Sequence, residues 1–446
     1  MWGRAVGWRE HYEARLVSAE EAVSHVQSGD LVALTLGEEP LVLTSALQAR
    51  AGELQNVVIQ CAGPANERGW FDPGISPSFR VQVQNSYRYT YREFLDSNQA
   101  DFLPSLFTLM FKGIEERNLE SQRPDLFMAV VSPPDKNGFC SFGHSLWNKR
   151  GFVKRSRKVI VEVDQRQIRT FGTNCVHVTE IDYFVEDPST DPPVYLTLPE
   201  PDDVVRRIGE HVGALVNSGD TLQMGWSRVV MLLPSLGVFD DKVDLGLHSE
   251  VAAPGIPRLV EAGVINGKRK TLNPGLAIVT ALAGAGEEMN LAVDNPRIEV
   301  RDVEYTNDLR VISAHDNMVA INGAVSVDLT GQINVETGAG LYPINGPGGQ
   351  PEFVFGSLMS KGGRSITVLR STTPDGVQPR IVAALEEGST VTIPRTLADY
   401  IVTEYGIARL LGKPLRERAE ELVGIAHPQF RGELKKALKK RFYSYG

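Results

Sequence analysis

Short apolar runs recur along this chain between longer stretches of mixed polarity. Val57-Val-Ile-Gln, Leu126-Phe-Met-Ala-Val-Val, Lys158-Val-Ile-Val-Glu-Val and Ala277-Ile-Val-Thr-Ala are rich in β-formers and predict strands. They alternate with helical stretches, which predicts an α/β fold of mainly parallel sheets covered by helices. Ligands on such folds collect at strand carboxyl ends or between domains.

The pattern also repeats. Glu21-Ala-Val-Ser-His-Val-Gln-Ser-Gly-Asp30 precedes Leu-Val-Ala-Leu-Thr, and His211-Val-Gly-Ala-Leu-Val-Asn-Ser-Gly-Asp220 precedes Thr-Leu-Gln-Met-Gly. Each reads as a helix ending near Gly29 or Gly219, then a short strand and a turn. Two similar α/β domains in tandem follow. Their seam is expected in Glu186-Asp-Pro-Ser-Thr-Asp-Pro-Pro-Val-Tyr-Leu-Thr-Leu-Pro-Glu200, whose prolines forbid a continuous helix. The expected domains are residues 1–190 and 200–446, the second carrying the reactive carboxylate described below.

A length of 446 residues, 42% hydrophobic and 23% charged, fits a globular protein of two domains of roughly 200 residues each. The net charge of −9 disfavours a nonspecific nucleic-acid binder, which needs a basic face. Cys61, Cys140 and Cys175 form no Cys-x-x-Cys pair, so neither a metal site nor a disulfide framework is expected, and a reducing cytoplasm is. The opening residues lack the apolar core of a secretory signal, and no run reaches the roughly 18 apolar residues of a membrane helix, so no membrane role is expected.

The chemistry concentrates in two places. Asp244-Leu-Gly-Leu-His-Ser-Glu250 carries a strand-like segment into a carboxylate, and Asn345-Gly-Pro-Gly-Gly-Gln350 supplies backbone that a ligand can approach closely. A carboxylate nucleophile and amide donors for developing oxyanions are acyl-transfer equipment. A strand-end carboxylate also serves as a solvated cap, so Glu250 alone does not decide the matter.

The segment following Glu250, Val-Ala-Ala-Pro-Gly-Ile-Pro-Arg-Leu-Val-Glu-Ala-Gly-Val-Ile-Asn-Gly, resembles the acetyl-CoA hydrolase/transferase family, the class I CoA-transferases. Val131-Ser-Pro-Pro-Asp-Lys-Asn-Gly-Phe-Cys-Ser-Phe-Gly143, Asp316 to Gln332 and Tyr400-Ile-Val-Thr-Glu-Tyr-Gly-Ile-Ala408 carry the resemblance in the same order. It implies two tandem CoA-transferase domains with the active site at their interface, a homodimer, and CoA as a substrate with no tightly bound cofactor. The implied partners are an acyl-CoA and a small carboxylic acid. The implied reaction is ping-pong: Glu250 attacks the acyl-CoA to give a mixed anhydride, and the thiolate returns to leave a glutamyl-CoA thioester.

Carried over by the same resemblance, Gly346, Gly348 and Gly349 match a Gly-x-Gly-Gly element near the thioester, and Gly225, Trp226, Ser227, Arg228 and Val229 occupy the place of a CoA loop. Ser227 stands where the family has a second glycine, with Trp226 and Arg228 beside it; these either reshape the site toward a polar acyl group, or Arg228 makes a structural ion pair with its side chain outside the pocket. Asn322 and Asn307 match asparagines near CoA or the glutamate. His248, two residues before Glu250, would share its face on an extended strand. Lys268-Arg-Lys270 and Arg370 are candidate phosphate contacts or a solvated face. Gly37-Glu-Glu-Pro40, Phe142 and His144 either border an acyl pocket or are structural. The competing functions are an acyl-CoA hydrolase, a CoA-binding module without turnover, and a sugar-phosphate isomerase on a related scaffold.

Overall fold

The structure, a computed structural model, describes residues 7–61, 67–70, 72, 74–75, 77–84, 100–117, 121–189, 198–284, 286–338 and 342–442. The chain divides into two compact units, 1–194 with 293–305, and 195–292 with 306–446. Most of the proline-rich seam, 190–197, lies outside the described residues. The return of 293–305 to the first unit formed no part of the sequence reading.

The first unit is built on β1 (Leu31–Ala33), β2 (Val57–Cys61), β3 (Phe79–Val83), β4 (Ala100–Phe102), β5 (Leu126–Val131), β6 (Lys158–Val163) and β7 (Tyr183–Glu186). They form one parallel sheet in the order β7-β6-β5-β1-β2-β3-β4. Three of the four predicted runs thus become β2, β5 and β6. β5 is buried along its whole length, as a strand between covered faces requires. Helices α1 (Ala19–Val23), α2 (Leu41–Gln48) and α3 (Lys149–Arg155) belong to this unit. Val23, Val26, Leu43 and Leu47 pack against Val57, Ile59 and Val81 in its core.

The second unit begins with α4 (Asp203–Gly213), capped by the Asp202 carboxylate on Val205 N–H at 3.0 Å. Val205, Ile208, Gly209 and Val212 recur at helical spacing, and these are the buried positions. Its sheet contains β8 (Thr221–Met224), β9 (Gly246–Leu247), β10 (Met318–Gly323), β11 (Arg364–Val368), β12 (Tyr400–Thr403) and β13 (Gly406–Arg409), in the order β9-β8-β10-β11-β12-β13. Only β12 with β13 is antiparallel. Helices α5 (Gln350–Met359), α6 (Leu415–Ile425) and α7 (Pro428–Phe442) complete the elements used below.

The Ser-Gly-Asp echo is also a structural one. In both copies the glycine is left-handed (Gly29 φ 85°, Gly219 φ 87°), and the aspartate accepts the N–H three residues earlier: Gln27 to Asp30 at 2.7 Å, Asn217 to Asp220 at 2.6 Å. Each turn feeds β1 or β8. The fourth predicted strand is the exception. Ala277–Val279 and Ala281–Leu282 are two short strands broken at Thr280, and neither joins the large sheets.

Candidate active site

That break holds the candidate nucleophile. Glu250 sits just before the short strand Val251–Ala252, which pairs with Ala281–Leu282, and its carbonyl accepts the N–H groups of Thr280 and Ala281, each at 2.8 Å. The backbone is thereby fixed at the residue whose side chain must be aimed. The carboxylate is buried, with Glu250 8% exposed, so the solvated-cap reading does not describe it.

Three groups set its chemistry. Asn307 Nδ2 donates to Glu250 Oε1 at 3.0 Å, and Gly349, which precedes α5, donates its backbone N–H. Both favour the anion, as does the amino-terminal end of a helix. Burial opposes them and is the largest influence, with the Glu352 carboxylate adding to it, so the Glu250 pKa is pushed up to about 8. The outcome is a poorly solvated, more basic carboxylate. Such a group is a stronger nucleophile once ionised and is held in one orientation.

Glu352 was missed from sequence. It lies in the first turn of α5, and its Oε2 accepts from the same Asn307 Nδ2 at 2.6 Å, so one amide bridges two carboxylates. Thr306 Oγ1 donates to Asn307 Oδ1 at 3.2 Å, which fixes the amide with its NH2 toward both acids. The sequence signal was faint: an acid three residues after the Gly-Gly pair in Gly-Gly-Gln-Pro-Glu. Glu352→Gln keeps an oxygen acceptor for Asn307 and removes a like charge, so Glu250 ionises at lower pH. The acid limb of the kcat/KM profile is therefore expected to move down; an unmoved or raised limb counts against this coupling.

His248 is completely buried, and its Nε2 lies 2.8 Å from the Thr306 carbonyl. A carbonyl only accepts, so Nε2 carries the proton. His248 thus braces residue 306 while Glu250, in a bend beyond the strand, meets residue 307, which assigns His248 to the segment presenting Asn307.

The glycine loop needs one correction of detail. Gly348 is left-handed (φ 54°), and a Cβ on it would touch nothing within 4 Å. The close approach belongs to Gly349, where a Cβ would lie 2.6 Å from Glu250 Cδ and Oε1 and would also strike Asn307 Nδ2. Gly346 is buried in the same loop.

Gly225 to Val229 follows β8 and lies against the end of β10. A Cβ on Gly225 would collide with Asn322 Oδ1, and Ser227 Oγ accepts Val230 N–H at 3.2 Å, closing the turn that a second glycine would leave open. Trp226 (61% exposed) and Arg228 point to the surface, while Val229 is buried. Asn322 is buried and its amide is paired with Gln223, Gln223 Nε2 to Oδ1 at 3.1 Å and Asn322 Nδ2 to Gln223 Oε1 at 2.9 Å. Its visible role is therefore to join β10 to β8 beneath the loop.

The basic run separates residue by residue. Lys270 is buried and donates to the Leu247 and Leu276 carbonyls, both at 2.8 Å; Arg269 pairs with Asp244 at 3.2 Å; Lys268 is exposed. Arg370 pairs with Asp202. In the first unit, Glu38 accepts from Gln167 and lies 3.5 Å from His144 Nδ1, with Phe142 buried nearby in sequence. Among the described residues no cluster of His, Cys, Asp and Glu is arranged to hold a metal ion, and no helix is long and apolar enough to cross a membrane.

Comparison with known proteins places this geometry in a family. The acetyl-CoA hydrolase/transferase N-terminal domain model matches residues 4–194, and the C-terminal domain model matches 284–438. The chain belongs to the acetyl-CoA hydrolase/transferase family. Glu250 falls between the matched segments, but full-length relatives span it. The 4-hydroxybutyrate coenzyme A transferase of Clostridium kluyveri is 38% identical over 98% of this chain and 100% of its own length. A succinyl-CoA:cyclohexane-1-carboxylate CoA transferase from Geobacter metallireducens is 33% identical, covering 97% of both. Among solved structures, RipA from Yersinia pestis superposes with a TM-score of 0.89 at 32% identity over 97% of this chain and 99% of that one. The two-domain, mainly parallel architecture is that of the family, and the protein is an enzyme of the CoA-transferase class.

Proposed function

We propose that this enzyme moves CoA between a small acyl-CoA and a carboxylic acid through Glu250. The observation that carries the reading is the buried Glu250 carboxylate gripped by Asn307 and the Gly349 N–H. Glu250 oxygen attacks the thioester carbon, the C–S bond breaks, and CoA thiolate leaves behind a mixed anhydride. The thiolate then attacks the glutamyl carbonyl, expelling the first carboxylate and forming a glutamyl-CoA thioester. An incoming carboxylate repeats the two steps in reverse order and leaves as the new acyl-CoA.

Each attack on the glutamyl carbon creates negative charge on a Glu250 oxygen. Asn307 Nδ2 and Gly349 N–H, already directed at that side chain, are the donors that stabilise it. Burial has a second effect, since keeping water from the anhydride and thioester preserves transfer over hydrolysis. The CoA-loop assignment stays with Gly225 to Val229, whose exposed Trp226 and Arg228 are available to the nucleotide. Asn322, engaged with Gln223, supports that loop from below. CoA is a substrate in this reading, without a resident cofactor. A cytoplasmic homodimer remains part of the proposal, with the reducing compartment supported by the absence of a disulfide among Cys61, Cys140 and Cys175.

The relatives' named acids are small, which supports a small carboxylate as acceptor. The test is a panel of acyl-CoA donors and carboxylic acids in which new acyl-CoA and free thiol are followed together. New acyl-CoA without net thiol is the expected result. Stoichiometric thiol release with no dependence on acceptor makes the enzyme a hydrolase and overturns the transferase reading.

A further inference from the structure

Two buried polar side chains in the first unit have no partner that explains them. Lys149, at the start of α3, is fully buried, and its Nζ makes no hydrogen bond among the described residues. Ser145, four residues earlier, buries its Oγ in the same condition. Gly37 shows that they share a volume: a Cβ built there would strike Ser145 Oγ and lie 3.8 Å from Lys149 Nζ. Buried donors are nearly always satisfied, so a pair left open in one place points to a missing acceptor.

The surroundings say what kind. Glu38 is the nearby acid that holds up the Lys149 charge, but its carboxylate is engaged by Gln167 and faces His144. The Phe142 ring, 5.8 Å from Nζ, is a weak substitute for an anion. Burial lowers the Lys149 pKa to about 8, so the amine is still mostly charged at neutral pH. A buried ammonium without an acceptor is destabilising, and an anion entering the site would relieve that. The N–H groups of Leu36, Gly37 and Glu38 donate no hydrogen bond among the described residues, so the loop is held here through the Glu38 side chain, by Gln167 and His144, and its backbone donors are open to an anion.

We propose that Lys149 and Ser145, beneath the Gly37 loop, form a carboxylate-binding site in the first unit. One ammonium and one hydroxyl match the two oxygens of a planar carboxylate, whereas they would leave the further oxygens of a tetrahedral phosphate buried without donors. The site needs no turnover, so it stands apart from the transferase reading. The carboxylate belongs either to a free acid or to the tail of a dicarboxylic acyl-CoA.

The experiment uses the full chain carrying Glu250→Gln, so that the catalytic glutamate does not titrate. Succinate, butyrate and inorganic phosphate are titrated calorimetrically. The two carboxylates are expected to bind and phosphate is not, and adding Lys149→Met should weaken carboxylate binding by at least about tenfold, the scale of one charged hydrogen bond. Displacement of succinate by succinyl-CoA but not butyryl-CoA assigns the site to an acyl tail; displacement by neither assigns it to a free acid. Methionine replaces a buried amine with an apolar chain of similar length, so the melting temperature should hold or rise.

A second measurement keeps Lys149 intact. Affinity should be flat below about pH 7 and fall above about pH 8 as the ammonium loses its proton, while His144, lowered by burial, stays neutral. Carboxylate binding unchanged by Lys149→Met, or independent of pH across that range, overturns the proposal, as does preference for phosphate. Failure of the transferase reading is scored separately, by thiol release in the unmutated enzyme.

Discussion

Glu250→Gln should reduce kcat for CoA transfer by at least about 1,000-fold, the scale seen when a covalent nucleophile is lost. The amide keeps the shape and the Asn307 contact but cannot open the thioester. Unmutated enzyme incubated with acyl-CoA and no acceptor should carry CoA on the peptide containing residue 250; the variant should carry none. Activity within tenfold of the parent, or an adduct elsewhere, removes Glu250 from the mechanism.

The same substitution has a stability signature of known sign. The Glu250 pKa is raised from 4.5 to about 8 by folding. Between those values the native state holds a proton that the unfolded chain has released, so native stability falls as pH rises through the window and stays lower above it. Glutamine has no such proton. The melting temperature of the variant should therefore gain on the parent by a few degrees between pH 5 and about pH 9. A difference that is constant with pH contradicts the raised pKa.

Gly349→Ala is expected to have the second largest effect, a loss of about 100-fold in kcat, typical of removing an oxyanion donor or misplacing the reacting group. The new methyl cannot be placed without moving Glu250, whose Cδ and Oε1 lie 2.6 Å from it, or the Asn307 amide. Gly348→Ala is the control. Its methyl has open space but must occupy a left-handed backbone, so it should cost about 1 kcal/mol of stability and leave kcat within a few-fold. Equal kinetic damage at both positions would mean that the loop acts as a whole and Gly349 has no particular place in it.

Sequence reading and structure agree where the signal is local. β5 was visible because a strand covered on both faces must be apolar along its length, β6 because of its Val159-Ile-Val run, and both Ser-Gly-Asp turns because a left-handed glycine and an aspartate cap are written in adjacent residues. The Ala277–Ala281 run misled because apolarity reports burial and not continuity, and Thr280 breaks the pairing to bond the Glu250 carbonyl. Glu352 and Thr306 were illegible for another reason. They matter through Asn307, and no spacing rule links residues 250, 307 and 352 before the chain is folded. The Gly-Gly pair was read as one feature, whereas the positive φ and the close approach fall on different glycines.

The segment 293–305 also bears on how the protein is made. It packs with the first unit, where Asp302 N–H meets Thr173 Oγ1 at 3.3 Å across 129 residues of sequence and Val303 N–H meets the Trp147 carbonyl at 2.9 Å. A ribosome that has delivered residue 194 has therefore delivered an unfinished first unit. Its last piece arrives only after nearly 100 residues of the second unit, Tyr195–Ala292, have emerged, so the two halves of this chain cannot mature strictly one after the other during synthesis.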